Sequence, residues 1–140
     1  MNLKNLNQDL IKIVEKRIEL DQLTYDDERY DDLEEVLHDL EDDFIEKYGD
    51  YLEDALIDVH DEYCPEAEVL SPIAYVAKKY AKREENGKVQ YEVNADQGVW
   101  VEIEQGNNSD EGYLVLLPSP TRLVLMKSPT DRQIVWKAKE

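Results

Sequence analysis

Few side chains in this 140-residue chain are placed to do chemistry. Glu35-Val36-Leu37-His38 is a Glu-x-x-His step, which puts a carboxylate and an imidazole one helical turn apart. Helical-bundle metal centres use that step twice, together with a Glu from each of two further helices. Here it occurs once. His60 has Ile57 three residues before it, not a carboxylate. Glu35, His38 and His60 are therefore the metal-ligand candidates, without a fourth group chosen by spacing. Both histidines fall off the apolar stripes of their segment, which predicts surface positions.

Other chemistries fit less well. Cys64 is the single cysteine and precedes Pro65 at a predicted helix end. The negative end of a helix dipole and many nearby carboxylates raise a thiol pKa and blunt its reactivity. The stretch Asn107-Asn108-Ser109-Asp110-Glu111-Gly112 lacks the residue order of a calcium loop and reads as a polar hairpin tip. No phosphate-binding glycine loop, dinucleotide fingerprint or nucleophile elbow is present. The residues thus predict no catalytic centre and no cofactor. The basic group Lys78, Lys79, Lys82 and Arg83 predicts solvation, or pairing with the chain's own acids.

Charge is the dominant signal. Residues 24–68 hold twenty Asp and Glu against Arg29 and Lys47, a local balance equal to the net −18 of the whole chain. Residues 71–140 hold ten of each sign. A chain this acidic does not suit nucleic-acid backbones or anionic membranes, where binding begins with Lys and Arg. Mixed with little apolar content, such charge would mean disorder. The apolar spacing argues for a fold instead. Leu33, Val36, Leu37, Leu40, Phe44 and Tyr48 recur at three and four residues, then Tyr51, Leu52, Ala55, Leu56, Val59 and Tyr63.

That spacing predicts helices over 25–48 and 51–63, with Thr24 as N-cap and a turn at Gly49-Asp50. Leu3, Leu6, Leu10, Ile13, Val14 and Arg17 share one side of a first helix over 3–21. Ser71-Pro72 is a helix start and Asn86-Gly87 a stop, which predicts a fourth helix between them. The period then changes to two. Strands are expected at 89–93, 99–103, 113–117, 123–126 and 134–136. The expected fold is α+β in a single domain, with about four N-terminal helices (1–86) on a C-terminal five-stranded antiparallel meander (87–140).

The runs at 113–117 and 123–126 are apolar at consecutive positions, so both sheet faces need cover. A homodimer through the exposed face is one expectation. The single cysteine, the lack of an apolar leader and the short apolar runs predict a cytoplasmic protein without membrane spans.

The functional expectation is a non-enzymatic binding protein. Its acidic helical surface, with Asp31, Glu35, Asp39 and Asp42 at the centre, would engage a basic protein partner. Small acidic α+β proteins without motifs include many immunity proteins and secretion chaperones, an analogy of class only. The alternatives are a metal-dependent enzyme using carboxylate and His groups of the acidic helices, and a nucleic-acid mimic whose carboxylates stand in for phosphates.

Overall fold

A computed structural model describes residues 2–105 and 108–138. Helix α1 spans Leu3–Asp21. The Asn2 side chain caps it by accepting from the Lys4 and Asn5 N–H groups at 3.0 and 3.1 Å. Leu6, Leu10, Ile13 and Val14 form its buried stripe.

Helix α2 runs unbroken over Tyr30–Tyr63, 34 residues. The two helices expected at 25–48 and 51–63 are therefore one. Gly49 is helical and buried. A Cβ there would come within 3.3 Å of Ile45 Cγ2, so glycine gives that side chain room. Glycine costs a helix interior about 1 kcal/mol relative to alanine. Burial of Phe44, Tyr48 and Leu52 on either side outweighs this. Thr24 is not the N-cap. The turn before the helix is held by Asp27, whose Oδ1 accepts from the Arg29 backbone N–H at 2.9 Å. The Arg29 guanidinium beside it holds the Asp27 carboxyl down at about 2.

The expected fourth helix is absent from the described residues. Pro72–Tyr75 makes one 3-10 turn, with the proline where a helix start tolerates it. The backbone then becomes extended at Val76, which bridges Leu116 in parallel. Tertiary partners take the polar groups a helix would have used. Tyr80 Oη accepts from the Ala77 N–H at 2.9 Å and donates to the Leu116 carbonyl at 2.9 Å. Strands β1 (Ala81–Glu85) and β2 (Lys88–Glu92) follow as a separate two-stranded sheet. Asn86 (φ 53°) and Gly87 (φ 77°) form the turn between them. Paired positive φ angles match the twist of a two-residue hairpin, a use of Asn-Gly stronger than helix stopping.

The second sheet is a four-stranded antiparallel meander of β3 (Val99–Gln105), β4 (Asn108–Leu117), β5 (Arg122–Met126) and β6 (Arg132–Lys137). The fold is thus α+β with two helices and two sheets. It does not have about four helices or a single five-stranded meander. Residues 88–92 pair with β1 and not with β3. Of the polar stretch 106–112, Gly106 and Asn107 lie outside the described residues, and the rest extends β4.

One face of the larger sheet packs on α2, where Tyr51 meets Trp136 at 5.9 Å between ring centroids. On the other side, the segment after β2 is tied to β6, where Arg132 Nη1 donates to the Val93 carbonyl at 2.8 Å. An added Cβ on Gly98 would fall 2.2 Å from the Leu114 carbonyl oxygen, which fixes how closely that segment approaches. Leu114–Leu117 and Leu123–Met126 are all at most 6% exposed. The chain itself covers these two strands, while Trp100 and Ile134 on the neighbouring strands stay 50% and 56% exposed.

Helices and connector meet at Arg17. Its Nη1 donates to the Val76 and Ala77 carbonyls at 3.1 and 2.8 Å, and its Nη2 to Glu41 of α2 at 2.8 Å. The two side chains are 14% and 15% exposed. Removing one partner from such a pair leaves a desolvated charge behind. Arg17→Ala is expected to lower unfolding free energy by about 2–3 kcal/mol, allowing for the partial exposure. Glu41→Gln, which keeps an acceptor, should cost less; urea denaturation of the three proteins measures both.

Candidate functional site: the acidic face of the long helix

An α-helix rises 1.5 Å per residue, so α2 is about 50 Å long. It carries fifteen Asp and Glu and one Lys. Among the described residues, Glu41 is the only one of the fifteen in an ion pair. Asp31, Glu35, Asp39 and Asp42 follow one another at four, four and three residues and are all exposed. They form a stripe along one side of the helix. Val36, 44% exposed, lies beside it.

The metal-ligand candidates do not converge. Glu35 and His38 are both exposed, one turn apart on α2. His38 lines a groove of about 610 Å³ with Glu34, Glu41, Arg17 and Lys78, where Glu41 is already held by Arg17. His60 lies 22 residues further along the same helix, about 33 Å away. Among the described residues no three His, Cys, Asp or Glu groups gather closely enough to hold a cation.

His60 is not the surface residue expected. It is 2% exposed and fully hydrogen-bonded. Its Nδ1 lies 3.1 Å from the Ala67 carbonyl oxygen, which can only accept, so that nitrogen carries the proton. In the neutral ring Nε2 then accepts from the Tyr75 hydroxyl at 2.8 Å, and Tyr75 Oη accepts from the Leu70 N–H at 3.1 Å. Both ring nitrogens are spent tying the connector to α2. His60 sits about seven and a half turns beyond Leu33, hence on the opposite side of the helix. The connector wraps that side, and helical periodicity alone carries no signal of it.

Cys64 is buried, and burial pushes its thiol up to about 11. The dominant cause is desolvation, not the helix dipole. The basic group is split between loop and hairpin, not spread along a helix. Lys82 Nζ lies 2.7 Å from Glu15 of α1, and Arg83 reaches Glu85 and Glu92 at 2.9 and 3.0 Å. Glu15 also accepts from Tyr91 at 2.7 Å. Burial raises its pKa, but the Lys82 and Tyr91 hydrogen bonds outweigh that and hold it below the ordinary carboxylate value. Arg17, Tyr75 and Tyr80 are the polar residues that matter most to this scaffold. Only Arg17, alone among apolar neighbours on the α1 stripe, gave a sign of it in the sequence.

Tyr75→Phe deletes the hydroxyl that serves both His60 and Leu70. It should cost about 1–3 kcal/mol in thermal or urea unfolding, because the buried His60 ring and the half-buried Leu70 N–H both lose their partner. Comparison of the chain with protein-family models, curated proteins and solved structures finds no match at any of the three levels.

Proposed function

We propose that the protein is a non-enzymatic binding module that presents the acidic face of α2 to a basic protein partner. The observation that supports this reading is the set of fourteen α2 carboxylates left without an ion pair among the described residues, set out along one continuous helix. Solubility alone does not require this. A net charge of about 2–8 suffices for a small domain, against −18 here.

A rigid helix fixes the spacing of the carboxylates and so lowers the ordering cost of association. The field of the stripe would accelerate encounter with a basic surface and reject acidic ones. Exposed Val36 and Ile57 supply apolar contacts beside the charges. No membrane partner is invoked: among the described residues no helix is long and apolar enough to cross a bilayer.

The test uses a quadruple variant, Asp31→Asn, Glu35→Gln, Asp39→Asn and Asp42→Asn. It should stay folded, since all four side chains are exposed, and should gain slightly in stability as like-charge repulsion falls. Proteins captured by the natural chain from a lysate at low salt should be basic, should elute as salt rises, and should be lost to the variant. Capture that the variant and salt leave unchanged would contradict the reading.

A further inference from the structure

One sizeable cavity among the described residues is not on the acidic helix. It is a cleft of about 670 Å³ between the β1–β2 hairpin and the meander, a size typical of small-molecule sites. Trp136 pairs with Leu123 and touches α2, whereas the next residue of β5, Val124, pairs with Ile134. Successive residues of a strand face opposite ways. The cleft therefore opens on the side of the sheet away from α2.

Its charge runs against the rest of the chain. Acids outnumber bases 34 to 16 overall. The cleft is lined by Lys79, Arg122 and Arg132 against one acid, Glu92, which is bound to Arg83 at 3.0 Å. Among the described residues none of the three cations has a carboxylate partner.

The two arginines are nonetheless held. Arg122 Nη1 donates to the Pro118 and Pro120 carbonyls at 2.8 and 3.0 Å. Arg132 donates from Nη1 to the Val93 carbonyl at 2.8 Å and from Nε to the Pro129 carbonyl at 3.1 Å. Carbonyls fix each guanidinium without neutralising it. The Nη2 group of each has no protein acceptor among the described residues and remains for a ligand.

The strand register spaces them. Arg122 begins β5, and Arg132 pairs with Met126 at its other end, four residues or about 13 Å away. Between them lie Val124 and Ile134, the latter 56% exposed, with Leu117 beside them. The result is a short apolar floor with a fixed cation near each end.

The geometry points to this cleft as a binding site for an elongated organic anion, with an acid group on a guanidinium and an apolar body over Val124 and Ile134. Carboxylate and phosphate share the chemistry that an arginine fork recognises. At physiological salt the screening length is about 8 Å, so the acidic helix across the sheet does not repel such a ligand from the cleft.

Decanoate, decanedioate, decyl phosphate and neutral decanol, titrated into the full chain at 0.15 M salt and followed by amide chemical shifts, test the proposal. The anions should perturb residues 122–134, with decanol at least tenfold weaker; the stronger of the carboxylate and phosphate arms names the head group. Arg132→Gln should weaken anion binding at least fivefold. Ile134→Asp should do likewise; its site is exposed, so the fold tolerates it. Equal binding of decanol, anion binding unaltered by both substitutions, or no binding at millimolar concentration would each overturn the assignment.

Discussion

Arg17 is the point at which the helical half of the molecule becomes one body. A guanidinium has five N–H donors in a fixed plane, and this one makes three hydrogen bonds, from Nη1 to two carbonyls of the connector and from Nη2 to Glu41 of α2. The connector at Val76 and Ala77 is extended backbone that would otherwise bury unsatisfied carbonyls. By capping them, Arg17 lets the chain cross between the helices and the meander at full burial. Its Nε is buried without a partner, which shows how far the side chain has been drawn into the interior. Tyr48 adds a second tie between the helices, donating to Asp9 at 2.6 Å.

This anchoring explains how so acidic a helix can persist. Eight pairs of like-charged acids stand four residues apart along α2. At a few tenths of a kcal/mol each they oppose the helix by about 2–4 kcal/mol. Leu33, Leu37, Phe44, Tyr48, Leu52, Leu56 and Val59 are buried on the inner side. At about 1.5–3 kcal/mol for each side chain, their burial contributes on the order of 10 kcal/mol before the entropy of ordering is set against it. Burial wins, and the carboxylates are carried outward as a consequence of where the apolar residues point. The acidic face is thus rigid because of what lies beneath it.

Periodicity made much of this legible. The bounds of α1, the apolar stripe of α2, the α+β class and the order of the last four strands follow from spacing of three and four, or of two. Where the structure departs from the local spacing, a local signal is overruled by partners far away in sequence. Gly49 reads as a helix stop until Phe44, Tyr48 and Leu52 are seen to be buried around it. Ile73, Val76, Ala77 and Tyr80 keep helical spacing, yet Arg17 and Leu116 hold Val76 in extended backbone. Asn86-Gly87 served two grammars, and the hairpin one prevailed. The stripe Asp31, Glu35, Asp39 and Asp42 was visible from spacing, and all four are exposed. The burial of His60 was not, because the segment that covers it lies after the helix.

A shaped acidic surface requires α2 to be one stiff rod that displays its carboxylates at fixed intervals. Amide hydrogen exchange across residues 42–56 measures that most directly. The amides on both sides of Gly49 should exchange slowly and with the same protection, as one cooperative unit. Fast exchange confined to Gly49–Tyr51, or free-peptide rates along the whole segment, would mean a broken or unfolded helix and would contradict this.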